Sequence, residues 1–150
     1  MLYSYPEEAA TNFHKKIDSI PNIVVLIGME DEQLVGGFTE GAFDPKPNPI
    51  PIENPHAFMF NLKHRRWAFA NRITKTHSYD PNYLLLGNWE IKLKACSGEL
   101  ESTWDGRGGV FTKAHFKSSE PAGHPQEWLL GSNHQKRPIP FLWYKIFCLR

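Results

Sequence analysis

The chain has 150 residues, with 17 lysines and arginines against 16 aspartates and glutamates, so its formal net charge is +1. This length suits one domain spanning residues 1–150, and a nearly neutral charge gives no global attraction to nucleic acids or membrane surfaces. Two cysteines are too few for a disulfide framework, and the first residues lack the basic and apolar regions of a signal peptide. We expect an intracellular protein, cytoplasmic or nuclear, without membrane insertion.

The segment YPEEAATNFHKKID near the N-terminus has the pattern of a helix. Pro6 suits a first helical position, and the acids after it and the lysines near the end complement the helix dipole. Ala9, Phe13 and Ile17 recur every four residues and form one apolar stripe. We expect the helix to begin at Pro6 and to end before Pro21, because the residue preceding a proline avoids helical geometry.

Most of the remaining chain has strand patterns separated by turn residues. The predicted strands are NIVVLIG, QLVGGFTE, HAFMFNL, WAFAN, YLLLG, WEIKLKA, GVFTKAHF, EWLLGS and PFLWYKIFCL. The first is apolar at odd and even positions, which predicts a strand covered on both faces. The proline-rich stretch 44–55 predicts an extended surface loop. Many short strands beside one helix predict a mainly β protein built from two packed antiparallel sheets.

The stretch QLVGGFTEGAF, residues 33–43, allows three interpretations: a phosphate-binding loop, a catalytic elbow or a strand. A dinucleotide or phosphate loop needs a following helix or a Gly-Lys-Ser/Thr ending, and a nucleophile elbow needs Gly-x-Ser-x-Gly. Proline-rich sequence follows instead, and the elbow motif is absent. Gly36 and Gly37 therefore predict a bulge or a close backbone approach within a strand.

Several segments together carry a family resemblance: LYS before the helix, IVVLI, LVGGFTEGAF, HAFMFNL, PNYLLLGNWEIKL, WLLGS and an aromatic final strand. Their order resembles the TLDc domain, the module of the oxidation-resistance proteins, in a divergent form like those of protists. The residues that match the family's motifs are Gly36, Gly37, Phe38, Thr39, Ala57, Phe58, Phe60, Leu62, Gly87, Glu90, Ile91, Leu130, Gly131 and Ser132. The chain departs from the family at Lys145, where an acid is common, and across 97–116, which lacks much of a serine-, asparagine- and glycine-rich pattern.

The resemblance implies a β-sandwich with peripheral short helices and no established catalytic site. Members of the family are linked to protection against oxidative damage and, in several cases, to binding the vacuolar proton pump. The resemblance therefore predicts a non-enzymatic protein-interaction module acting in the oxidative-stress response or in proton-pump regulation, without a cofactor.

The sequence offers few groups that could support catalysis or metal binding. The seven histidines show no His-x3–5-His pair, and Cys-x2-Cys is absent, so zinc has little support. His115 and His124 could meet in space, and Glu40 and Asp44 could form an acid pair, but solvated loop positions explain both. Cys96 is expected to be a buried structural cysteine. We expect neither a catalytic nor a metal site.

One concentration of charge stands out between residues 63 and 77, which include no acid. Its basic residues are Lys63, Arg65, Arg66, Arg72 and Lys75. Trp67 and Phe69 lie among them, and arginines near aromatic rings suit phosphate contact and base stacking. This predicts, as an alternative function, a regulatory protein that binds DNA or another nucleic acid. The competing interpretation is a solvated hairpin with Trp67 and Phe69 directed into the core.

Overall fold

The structure is a computed structural model that describes residues 1–8, 13–30, 32–43, 56–69, 83–86, 91–94, 99–102 and 139–150. These residues form one helix, α1 (Phe13–Ile17), and the strands β1 (Tyr3–Tyr5), β2 (Ile23–Met29), β3 (Leu34–Thr39), β4 (Phe58–Asn61), β5 (Arg66–Phe69), β6 (Tyr83–Leu86), β7 (Ile91–Lys94), β8 (Glu99–Ser102) and β9 (Ile139–Cys148). In this part of the chain no helix has the length and apolar character needed to span a bilayer.

The strands pair in the order β5-β4-β3-β2-β9-β8-β7-β6, and each pairing is antiparallel. Strand β9 is central, because β2 runs along one of its edges while β1 and β8 share the other. The predicted mainly antiparallel β class is confirmed. The packing of two sheets into a sandwich and the peripheral helices stay predictions.

One face of β2 forms the centre of the core. Ile23, Val25 and Ile27 are completely buried, and Val25 lies opposite Ile146 of β9. Full burial of one such side chain contributes about 1.5–3 kcal/mol. Val24, on the other face, is partly exposed. The prediction that both faces of β2 are covered holds fully only for the odd-numbered face. On the other face Gly28 is buried, but Val24 and Leu26 are covered only in part.

Two glycines on the partly exposed face stand opposite aromatic residues. Gly28 pairs with Trp143, and Gly36 pairs with Phe60. A β-carbon on Gly28 would lie 2.3 Å from the Trp143 ring, and one on Gly36 would lie 2.8 Å from the Phe60 ring. The same atom on Gly36 would lie 2.1 Å from the backbone oxygen of Val25. Glycine is required at both positions because the space above it is filled.

The opening motif is a strand, as predicted, and Gly36 marks a close approach and not a bulge. The pairing of β2 with β3 runs without a shift from Ile23–Thr39 to Gly28–Leu34. The irregularity lies between β2 and β9, where Gly28 faces Trp143 but Met29 faces Phe141. Leu142 is the additional residue of this bulge, and it is exposed.

The predicted helix start at Pro6 is wrong. Residues 6–8 form a turn after β1, and the helix that the structure describes, α1, spans Phe13–Ile17. Tyr3 is fully buried, and its ring stacks on Tyr144 with centroids 5.4 Å apart. Pairing with β9 and burial of this aromatic ring thus override the local helix pattern. The expected end before Pro21 is confirmed.

Strands β1 and β8 had no counterpart among the sequence predictions. The predicted strands GVFTKAHF and EWLLGS and the proline-rich loop 44–55 lie outside the described residues. The other predicted strands match observed ones to within a few residues at each end, which is the usual uncertainty of strand boundaries.

Candidate interaction surface

Two turns lie side by side at one end of the sheet. The first connects β2 with β3 and includes Glu30, Glu32 and Gln33; the second, residues 62–65, connects β4 with β5. They meet because β4 runs antiparallel to β3, which brings the end of β4 beside the start of β3. The backbone N–H of Leu62 donates to the oxygen of Leu34 over 2.8 Å. We call these two turns the joined turns.

A buried amide pair fastens the joined turns to each other. The Asn61 side-chain nitrogen donates to the side-chain oxygen of Gln33 at 2.6 Å, and both residues are buried. The Asn61 side-chain oxygen accepts the backbone N–H of His64 at 3.1 Å, while the Gln33 carbonyl accepts the N–H of Met29 at 2.9 Å. The buried side-chain pair Asn61–Gln33 therefore connects the two turns and holds them side by side.

Each of the joined turns contains a non-glycine residue in the left-handed region. Glu32 has φ 62° and Arg65 has φ 51°. Short hairpin loops commonly need such a residue where the chain re-enters the sheet, and the N–H of Arg65 donates to the Leu62 oxygen at 3.3 Å. The conformation costs a non-glycine residue about 1–2 kcal/mol. An acid holds this strained position in one turn and a base holds it in the other.

The joined turns carry opposite charges. Glu30 and Glu32 are exposed in the first turn, and Lys63 and Arg65 are exposed in the second. Within the described part of the chain, the ion pairs include none formed by Glu30, Glu32 or Arg65. The surface is therefore an acidic group beside a basic group, and not a uniformly positive patch.

Large apolar side chains flank the basic turn. Leu62 is 55% exposed and Trp67 is 53% exposed. The interpretation that Trp67 points into the core is wrong, because about half of Trp67 is exposed although its partner Phe60 is buried. Exposed apolar anchors beside charged groups are typical of interaction surfaces.

The predicted basic hairpin is only partly described. Lys63 and Arg65 occupy the turn, and Arg66 is the first residue of β5. Arg72 and Lys75 lie outside the described residues. Sequence reasoning recognised this hairpin but missed the acidic turn beside it. The acids are visible as EDEQ at 30–33, but only the pairing of β3 with β4 brings them together.

The residues that carry the family resemblance have structural positions where they are described. Gly36, Gly37, Phe38 and Thr39 lie in β3, and their neighbours in β4 include Phe58 and Phe60; Ala57 precedes β4 and Leu62 follows it. The rings of Phe38 and Phe58 are 5.5 Å apart. Gly87, Glu90, Gly131 and Ser132 lie outside the described residues.

Other polar groups form isolated pairs. A His14 ring nitrogen lies 2.8 Å from an Asp18 carboxylate oxygen, and His56 makes a similar contact with Glu40. Among the described residues, no group of three or more histidines, cysteines or acids could hold a metal ion. The candidates Asp44, Cys96, His115 and His124 lie outside that part of the chain.

Comparison with known proteins adds no assignment: no protein-family model matches the chain, and no curated protein matches its sequence.

Proposed function

We propose that the protein is a non-enzymatic protein-interaction module of TLDc type and that the joined turns, with Leu62 and Trp67, form its docking surface. The observation that carries this proposal is the exposure of both apolar side chains beside fixed charges of both signs. In protein interfaces a few aromatic or apolar anchors supply most of the affinity, and surrounding charges select the partner.

The TLDc part of the proposal is supported by the order of the motifs and by the strand positions of those that are described. In β3 and β4 they supply sheet pairing, and Gly36 admits the Phe60 ring. A module of this type would have a two-sheet sandwich with peripheral helices, would act inside the cell, and would meet a partner in the oxidative-stress response. The vacuolar proton pump is the partner that the resemblance suggests.

The test is direct binding of the purified protein to a purified vacuolar proton pump, measured by co-sedimentation. We expect binding by the wild type and its loss in the Leu62→Ala/Trp67→Ala double variant. Leu149→Ala is the matched control, because Leu149 is 51% exposed at the end of β9. Equal binding by all three proteins would contradict the assignment of the surface, and no binding by any of them would contradict the proton pump as partner.

A second candidate function, nucleic-acid binding, is favoured by the exposure of Trp67 close to Arg65. An exposed ring can stack on a base, and a nearby arginine can contact a phosphate. The acidic residues Glu30 and Glu32 of the adjacent turn oppose this function, since they repel a phosphate backbone. We therefore rank it second.

Titration of labelled duplex and single-stranded DNA at two salt concentrations separates the two functions. If Arg65 and Arg66 each contact a phosphate of a duplex, replacing both by alanine should flatten the slope of log affinity against log salt by roughly 2. Sequence-selective binding that survives physiological salt and disappears in this double variant would overturn our first choice. Weak binding that salt abolishes in all variants is the ordinary non-specific level.

A further inference from the structure

We propose that the joined turns bind a second copy of this chain about a two-fold axis, so that the acidic turn of each copy meets the basic turn of the other. This inference goes beyond the proposed function, because it concerns self-association. A second copy would compete with a different protein for the joined turns.

The charge arrangement selects this occupant. A nucleic acid that approaches Arg65 also approaches Glu30 and Glu32, and an acidic peptide meets the same repulsion. The occupant that fits best presents both signs side by side at a matching spacing. A two-fold related copy does so without any further requirement, because a two-fold interface uses the same patch on both subunits. Its Arg65 would face Glu32, and its Glu32 would face Arg65.

The buried bond beneath the joined turns supports a specific contact. Their spacing is held by the buried bond between Asn61 and Gln33, and the backbone conformations of Glu32 and Arg65 are set by their turns. Association therefore requires little ordering of the backbone, which lowers the entropic cost of binding. The same charges on flexible loops would require the backbone to be ordered on binding, at a higher entropic cost.

Overall charge and apolar exposure favour association as well. The formal net charge of +1 produces almost no long-range repulsion between two copies. Leu62, directly before the charged residues of the basic turn, is exposed and can be covered by the approaching copy. Apolar contact supplies affinity, and the charge pairs set the orientation.

Two single variants and their mixture provide the test. Arg65→Glu places an acid opposite Glu32 of the other copy, and Glu32→Arg places a base opposite its Arg65, so each variant puts like charges at both symmetric contacts. Each new residue enters a left-handed position that the same residue type already occupies in the other turn, so the backbone cost is matched. We expect sedimentation at about 100 μM, a concentration that populates a dimer of micromolar Kd, to show a dimer for the wild type and monomers for each variant. An equimolar mixture of the two variants should form a dimer.

The control is Lys15→Glu, which makes the same charge change at an exposed position of α1; it should sediment as the wild type does. Circular dichroism of each variant should match the wild type, and raising the salt from about 50 to about 500 mM should weaken the dimer, because exposed charge pairs are screened. We expect each single reversal to weaken dimerisation at least about tenfold, since one change alters two symmetric contacts.

A wild type that sediments only at its monomer mass of 17.3 kDa overturns the proposal. A mixture of folded variants that stays monomeric overturns it also, as does dimerisation that survives in both single variants. Failure of proton-pump binding does not affect these outcomes, because sedimentation uses the purified chain alone.

Discussion

Around helix α1, two pairs of polar side chains form within the chain, whereas in the joined turns Glu32 and Arg65 face solvent. His14 contacts Asp18, and Lys16 contacts Glu8. In the joined turns, Glu32 and Arg65 are exposed, and the ion pairs of the described residues include neither. The comparison therefore rests on Glu32 and Arg65, which differ from Lys16 and Glu8 in pairing and not in residue type.

This difference separates groups that serve the fold from groups available to a partner. The Lys16–Glu8 contact joins α1 to the turn after β1, although exposed ion pairs add only about 0–1 kcal/mol each. In the joined turns, the buried Gln33–Asn61 pair serves the fold, and the exposed charges above it do not. Changes in the buried layer should therefore alter stability, and changes in the exposed layer should alter association.

The largest effect is expected where the strands behind the joined turns are packed most closely. Gly36→Ala should destabilise the protein by about 3 kcal/mol, because the new β-carbon would meet the backbone oxygen of Val25 as well as the Phe60 ring. Chemical denaturation measures this loss. Removing the ring should not restore stability, so Phe60→Ala combined with Gly36→Ala should remain at least as unstable as either single variant.

Gly28→Ala provides the matched contrast. The nearest atoms to its added β-carbon all belong to the Trp143 ring, so its cost should depend on that ring. A double-mutant cycle with Trp143→Ala should show favourable coupling of about 1 kcal/mol or more. At Gly36 the obstacle is the Val25 backbone, and at Gly28 it is the Trp143 side chain. Equal coupling energies in the Gly36–Phe60 and Gly28–Trp143 cycles would contradict this distinction.

The second prediction separates the buried layer of the joined turns from the exposed layer. Asn61→Ala should cost about 2 kcal/mol, because it leaves the buried amide of Gln33 without this hydrogen bond. It should also release the His64 backbone N–H and loosen the basic turn, which faster amide hydrogen exchange at His64 would show. As a control, Arg65→Ala removes an exposed side chain from the same turn and should change stability by less than about 0.5 kcal/mol.

The third prediction concerns the strained position in the basic turn. Arg65→Gly should stabilise the protein by about 1 kcal/mol relative to Arg65→Ala, because glycine adopts positive φ without a steric penalty. Both variants lose the same charge, so thermal or chemical denaturation isolates the backbone term. Both should also weaken self-association equally. A variant pair with equal stability would contradict the left-handed conformation of this residue.

Strands could be predicted from the sequence where apolar and polar residues alternate clearly. In β4, Met59 and Asn61 share a buried face, as period-two alternation predicts. Strand β1 was missed because Tyr3–Tyr5 has helix-start signals directly after it, and its strand conformation depends on pairing with distant β9. The true bulge, at Gly28, has no local signal either, because it arises from the register of β2 against β9.

The candidate surface was half predictable for a similar reason. Lys63 and Arg65 stand out as charges in a turn between two strands, whereas Trp67 could be assigned to either face from alternation alone. The acidic turn lies about thirty residues earlier in the chain, and its position beside the basic turn depends on β3 pairing with β4. Charge pairing between distant turns is a property of topology, and a single sequence does not show it.

The smallest predicted effect lies in the region around α1. The Ser4 hydroxyl donates to the Glu7 carboxylate, and this bond, followed by a backbone hydrogen bond and the charge of Lys145, lowers the pKa of Glu7 below its ordinary value of 4.5. Ser4→Ala should therefore raise the pKa of Glu7, as measured by NMR titration of its carboxyl carbon. Lys145→Met should raise this pKa less, because the charge is a weaker cause than the hydrogen bond.

A carboxyl group whose pKa is lowered by folding stabilises the folded state above its ordinary pKa, and this contribution disappears as the pH falls through the folded-state value. The stability difference between the wild type and Ser4→Ala should thus have a pH-dependent part that is present above about pH 4.5 and shrinks at lower pH. The Glu7 carboxylate is in contact with solvent, so added salt should screen its attraction to Lys145. Salt should have less effect on the hydrogen bond from Ser4, so most of the pH-dependent stability difference should remain. An unchanged pKa of Glu7 in Ser4→Ala would show that the hydroxyl does not pair with this acid in solution.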